Sequence, residues 1–336
     1  MKTLKNSHMY FANTGFVRYY SLARYALVEA LHLAGAMAGS RVLLPEYLCR
    51  DVLASLYQIG ATPIWYRVSK SLSPFEPQKK WPAADIVLAV NYFGFPQDLK
   101  PFQDYSQRTG ATIIEDNAHG FLSQDDDGKW LGCRTSLGIF SMRKTLRIPD
   151  GSALWIKCGK YSNNLPKQVP MIGKGLLRAQ KFKALIRSFP LIGEMLFTAT
   201  ITLTRRLREW QITSNLPYND SISERMLPCS PEPWKFLLSD LAKFSRLPEV
   251  DRRRNAYFKC AKEAFRVGAV SIFASLPANS SPYGFPFRGS DAAVDAMKIF
   301  ASACQYEMVK WPDLPDEIVK NAPSYYLDIF LINFMH

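Results

Sequence analysis

No stretch of 18 or more uncharged apolar residues occurs in this 336-residue chain, so no membrane-spanning helix is expected. The opening residues, Met1 to His8, lack the apolar run that a secretory signal needs. A cytoplasmic location is therefore expected. Cysteine and histidine are both scarce: Cys49, Cys133, Cys158, Cys229, Cys260 and Cys304 show no C-x-x-C spacing, and four histidines accompany them. This argues against a zinc site or a disulfide framework and for reduced, mostly buried thiols. Internal repeats, coiled-coil heptads and collagen-like composition are also missing. What the chain does have is 48% apolar residues, too many for a disordered polymer, and enough length for a large domain with a smaller one. Its 42 Lys and Arg against 29 Asp and Glu leave a net charge of +13. Such an excess suits nucleic acid, a membrane surface or acidic substrates.

Two periodicities alternate over the first 157 residues. Apolar positions at helical spacing run from Leu22 to Met37, from Tyr47 to Ile59 and from Asp98 to Arg108. Between them lie short apolar or β-branched runs at residues 41–44, 63–68, 85–90 and 111–115, and two more follow at 137–142 and 153–157. Strands apolar on both faces and separated by helices imply a mostly parallel sheet covered by helices, an α/β architecture. Asp125-Asp126-Asp127-Gly128 reads as a solvated hairpin tip rather than a cation site. Proline-rich sequence near residues 216–233 marks a boundary. Beyond it, helical stretches (234–266 and 292–303) mix with short strands (270–273 and 284–288) as a smaller α+β domain. The expected division is an N-terminal arm 1–20, a large domain 21–233 and a small domain 234–336.

Ligands of open α/β sheets sit beyond the carboxyl ends of the strands. Three places there carry chemistry: Asp116 with His119, Ser141 to Lys144, and the polar loop that meets a helix N-terminus at Ser21 to Arg24. Each alone has a plain structural reading, as a helix cap or a solvated residue. Together they meet the needs of pyridoxal 5'-phosphate (PLP): a lysine for the Schiff base, a carboxylate for the pyridine nitrogen, and unpaired N–H groups for the phosphate.

The order of segments resembles the DegT/DnrJ/EryC1/StrS sugar aminotransferases, which are fold-type-I, aspartate-aminotransferase-like PLP enzymes. Residues 21–27 (SLARYAL) resemble the family's opening serine-glycine element. Residues 41–49 resemble its strand, proline and helix start, and residues 91–98 (NYFGFPQD) are similar to H-x-x-G-x-P-x-D. Residues 114–120 (IEDNAHG) are close to E-D-x-A followed by His or Gln, and Phe140 to Lys144 with Asp150-Gly151 is similar to the lysine segment. The resemblance implies Lys144 as Schiff-base lysine and proton carrier, Asp116 at the pyridinium nitrogen and His119 beside the phenolic oxygen. It also implies Ser141, Ala23 and Arg24 at the phosphate, Tyr47 or Cys49 over the ring face, and Asn91 and Tyr92 toward substrate. No metal is called for. Ala23 departs from the usual glycine, Arg24 from the commoner threonine, Asn91 from histidine and Ser152 from glycine, and the spacing from Ser141 to Lys144 is short.

The function implied is transfer of an amino group from an amino acid, most often glutamate, to a nucleotide-linked keto sugar, for amino-sugar and surface polysaccharide biosynthesis. The alternative is a non-catalytic or regulatory PLP-binding relative. A dehydratase branch carries histidine where this chain has Lys144, which argues for transamination. The resemblance further implies a homodimer with shared active sites, and no nucleic-acid-binding signature is visible. Residues 157–209 hold eleven Lys or Arg and two Glu, a net +9 of the total +13, around the apolar run 188–201. Two readings stand for this segment: a helical excursion packed on the large domain or across a dimer, and a peripheral contact with an anionic membrane.

Overall fold

The computed structural model describes residues 15–174, 224–227 and 230–335. The expected arm before residue 15, the basic segment beyond residue 174 and Cys229 lie outside the described residues. No described helix is long and apolar enough to cross a membrane.

The large sheet has seven strands: β1 (Gly15–Tyr20), β2 (Arg41–Pro45), β3 (Thr62–Tyr66), β4 (Ile86–Val90), β5 (Thr112–Asn117), β6 (Leu137–Phe140) and β7 (Ser152–Lys157). Their spatial order is β1-β7-β6-β5-β4-β2-β3. β3, β2, β4, β5 and β6 run parallel, and β7 is antiparallel to β6 and to β1. Both faces are covered, which is why β4 reads as an unbroken apolar run with every residue buried. Helix α1 (Ala23–Leu33) turns Ala26, Leu27, Ala30 and Leu31 into the core. Helix α2 (Leu53–Gln58) is shorter than the helix expected over 47–59, since residues 50–52 form a tighter 3₁₀ turn and Cys49 is extended. The residues between β2 and α2 make contacts with the C-terminal part of the chain, described below. Helix α3 (Lys100–Thr109) starts with proline in its first turn and stops at Gly110 in the left-handed region.

Residues 15–20 were expected within the arm. They pair with β7 from Gly15↔Lys157 to Tyr20↔Ser152 as an edge strand, and only Tyr20 among them is buried. The weak apolar alternation of an edge strand gives no period-2 signal to read. Helix α4 (Leu237–Lys243) sets Leu237 and Leu241 against Phe140, Met142, Ala153 and Trp155 of the large sheet. Helix α5 (Arg246–Val267) then leads to a second sheet of β8 (Val270–Ser271), β9 (Gly284–Arg288), β10 (Glu307–Lys310) and β11 (Phe330–Asn333), all antiparallel in the order β10-β11-β9-β8. Helix α6 (Asp291–Ala303) is capped by Ser290, whose hydroxyl accepts the Ala293 N–H.

Candidate active site

The carboxyl ends of β2, β4, β5 and β6 and the start of α1 surround one cavity. Its lining includes Ala23, Arg24, Tyr47, Cys49, Asn91, Tyr92, Asp116, His119, Ser141 and Lys144. All ten residues expected at the site are therefore brought together. Register explains how: in the parallel ladder Asp116 lies between Val90 of β4 and Ile139 of β6, so the residues that follow those strands flank it.

Lys144 ends the 3₁₀ turn Met142–Lys144, which follows β6 directly. Its Nζ lies 3.0 Å from His119 Nε2. His119 is sandwiched between the rings of Tyr283 (4.6 Å between centroids, 4° between planes) and Phe93 (5.7 Å, 9°). Its Nδ1 accepts the Phe93 N–H at 3.4 Å. A neutral imidazole that accepts at Nδ1 carries its proton on Nε2, and thus donates toward the lysine nitrogen. Phe93 itself holds φ = +54°, an uncommon left-handed conformation for an aromatic residue that aims its N–H at the imidazole.

The cavity drives its titratable groups toward neutrality. Burial pushes the Asp116 carboxyl above the ordinary range, against the pull of the Ala118 N–H and of Lys144. The Ala118 N–H donates to Asp116 Oδ1 at 2.9 Å. Burial, aided by the Lys144 charge, holds His119 well below its usual value. Burial also lowers Lys144, with Arg143 adding to that shift and Cys49, Asp116 and Asp51 opposing it. Lowered basicity favours the unprotonated, nucleophilic form of the amine. Desolvation further raises the Cys49 thiol to about 11, so it is protonated at neutral pH.

At the other end, helix α1 begins at Ala23 behind Leu22, which gives no side-chain cap. Ala23 and Arg24 line the cavity at this helix start, where the positive end of the dipole suits an anion, while the Tyr25 N–H is already bonded to the Leu22 carbonyl. Arg24 pairs with Asp51 at 3.4 Å, while its Nη1 is buried without a partner. Gly151 holds φ = +143°, and a Cβ there would meet Leu237 at 2.8 Å, so the turn beyond the lysine requires glycine. The serine that replaces the second glycine, Ser152, is fully buried and donates to the Tyr20 carbonyl.

Not every expected residue offers its polar atoms to the cavity. The Asn91 side-chain amide donates to Glu115 (2.8 Å), while its carbonyl accepts from the Gln97 N–H (3.0 Å) and from Arg134 (2.9 Å). That is a scaffold around the buried Glu115–Arg134 pair, closed at 2.7 Å. Tyr92 donates to the Tyr47 carbonyl, and the Tyr47 hydroxyl to that of Trp311 at 2.5 Å. Cys49 also lines the cavity, so both residues proposed for the ring face border it.

Arg143, Asp51, Trp311 and Pro312 line the cavity too, and the sequence reading assigned them nothing. Arg143 had a legible signal in its place beside Lys144. Trp311 had none, for it arrives from the small domain.

The donor set fits PLP: a buried carboxylate, an amine of lowered basicity and a helix N-terminus carrying Arg24 face one cavity. Solved structures of similar fold span nearly the whole chain. The aminotransferase TlmJ from Streptoalloteichus hindustanus is 18% identical with a TM-score of 0.60, covering 97% of this chain and 83% of that one. A 3-amino-5-hydroxybenzoic acid synthase is 15% identical at 0.61, covering 98% and 82%. The E. coli GDP-4-keto-6-deoxy-D-mannose-3-dehydratase, solved with bound hydrated PLP, is 15% identical at 0.57, covering 97% and 86%. These likenesses show the fold, a large mostly parallel sheet with a small antiparallel one, as expected for fold type I. Residues 17–156 match the DegT/DnrJ/EryC1/StrS aminotransferase family. That matched stretch is the one that carries Asp116, His119 and Lys144.

Proposed function

We propose that this protein is a PLP-dependent aminotransferase that moves an amino group from an amino acid, glutamate by preference, to a nucleotide-linked keto sugar. The observation that carries the reading is Lys144 Nζ, 3.0 Å from His119 Nε2 in the cavity that also holds Asp116. When bound, the cofactor supplies an electron sink for the carbon that bears the transferred nitrogen. Asp116 would hold the ring nitrogen of the cofactor with a charged acceptor, and Ala23 and Arg24 at the start of α1, with Ser141, would hold the phosphate. Lys144 would give the covalent attachment through Nζ and, once free, serve as the proton carrier. His119 would orient the Lys144 nitrogen by its Nε2–H. Tyr47 and Tyr92 line the cavity, and Tyr326 packs against Tyr47 behind them, a ring cluster that would keep water out.

Lysine rather than histidine at position 144 favours transamination over the dehydration named for the E. coli relative. The site is completed across a homodimer in this reading, and the chemistry serves amino-sugar formation. Purified protein mixed with PLP should develop a visible absorption band that bleaches with glutamate and is absent from Lys144→Ala. A band that no amino donor bleaches would leave the regulatory reading in its place, and a colourless wild type would sink both.

A further inference from the structure

We propose that Trp311 is a positioning residue for Lys144, holding the free lysine amine against its indole face while His119 holds it from the side. The proposal rests on the reading of Lys144 as the reactive amine. Lys144 Nζ lies 5.6 Å from the centroid of the Trp311 ring. The same ring meets the edge of His119 at 5.2 Å and 63°. With the 3.0 Å separation of Nζ and His119 Nε2, these contacts close a triangle around the amine. An aromatic face attracts an ammonium group, the more so where water is scarce. A lysine that carries a proton between two carbons alternates between amine and ammonium. Burial disfavours the second form, and the indole supplies part of the stabilisation that the absent water would give.

Trp311 is itself held on both sides of its peptide unit. Its N–H donates to the Ile329 carbonyl at 3.0 Å, and its carbonyl accepts the Tyr47 hydroxyl at 2.5 Å. The residues that follow are fastened to Arg50 of the large domain, a guanidinium only 2% exposed. Arg50 meets Asp313 at 2.9 Å, Asp316 at 3.0 Å and Glu224 at 3.2 Å, donates to the Leu314 carbonyl at 2.8 Å, and sends its backbone N–H to the Asp313 carbonyl. Segment 311–316 is thus a strap from the small domain, tied down beside the lysine. Tyr47, in the bend after β2, and Arg50, just beyond it, receive it.

The other groups that face Lys144 are Asp116 on β5, Cys49 and Asp51 after β2, Arg143 on its own turn and the neutral His119. Of these only His119 also touches the Trp311 ring, and Trp311→Phe, which keeps an aromatic neighbour there, separates the two effects. The cofactor-free full-length chain is labelled with trinitrobenzenesulfonate across a pH series, and modification of Lys144 is read by peptide mass. Wild type and Trp311→Phe, which keeps an aromatic face, should share one midpoint. In Trp311→Leu the midpoint should fall by about half to one pH unit, since the ammonium loses its aromatic partner. Capture of added PLP, followed by its visible band, should slow about threefold or more in Trp311→Leu and recover in Trp311→Phe. An unchanged or raised midpoint in a folded Trp311→Leu protein overturns the proposal, the raised value meaning that the indole only kept water out. So does a phenylalanine variant that fails to restore the midpoint. A wild type that takes up no PLP defeats the proposed function, while the labelling midpoints still decide the role of Trp311.

Discussion

Asp116 shows at the scale of one residue how a site is maintained against stability. Its carboxyl is raised by burial, so the ionised form weakens the folded chain. The sign follows from linkage: the penalty is absent below the ordinary carboxylate range, where folded and unfolded chains are both protonated, and it develops as pH rises through the raised value. At neutral pH the cofactor-free Asp116→Asn variant should therefore unfold no more easily than wild type in urea titrations, and should be the more stable of the two. The same variant should bind PLP at least about tenfold more weakly by spectral titration, for it lacks the charged acceptor of the ring N–H. If it loses both stability and cofactor, the carboxylate is a structural member of the β5 end and the division of labour argued for Asp116 fails. His119 makes the complementary case. Flanked by two rings and facing an amine, it stays neutral, and its use is the direction of one N–H.

At the scale of elements, the parallel strands matter for the residues they release at their ends, and the junctions are stiffened by polar groups that never reach the cavity. Arg134 and Glu115 form the main brace, both buried and both bonded to Asn91. Arg134→Ala leaves a buried carboxylate without its partner and should lower stability by about 3–5 kcal/mol, visible as a clear drop in melting temperature. A drop within about 0.5 kcal/mol would show that water replaces the guanidinium and that the brace is slack. This brace also marks where sequence reading reached its end. The strands β2, β4 and β5 were legible because both their faces are apolar, and Asp116, His119 and Lys144 because chemistry-bearing residues just past such strands stand out. Asn91 was legible as a position after β4 but not as a scaffold member, since its partner Arg134 lies 43 residues on, in a loop without periodicity. The edge strand β1 has no clean alternation, β10 (EMVK) carries only two apolar residues, and β11 (FLIN) is too short an apolar run to tell from a helical turn. Trp311 becomes a neighbour of Lys144 only through the packing of one domain on the other.

At the scale of the molecule, α5 ties the two sheets to the lysine turn. Glu249, drawn upward by burial, is held below the ordinary range by Arg252 and Arg253. Arg253 donates to the carbonyls of Pro282 and Tyr283 before β9 and of Thr145 just after Lys144, and Arg252 to that of Phe334. A depressed carboxyl stabilises the fold above its unfolded value, and that contribution is lost as pH falls through the folded value. Glu249→Gln should thus be less stable than wild type at neutral pH, with a gap that narrows as thermal melts are run below pH 4, the ordinary carboxylate range. A gap of constant size across that range would remove the ion pairs from the explanation. The strap 311–316 has a consequence in time rather than in energy. A chain emerging from the ribosome completes β1 to β7 by residue 157, with Lys144 and Asp116 already placed, yet it lacks the indole wall until more than 150 further residues are made. Order of synthesis thus puts the reactive amine well before the wall that packs against it.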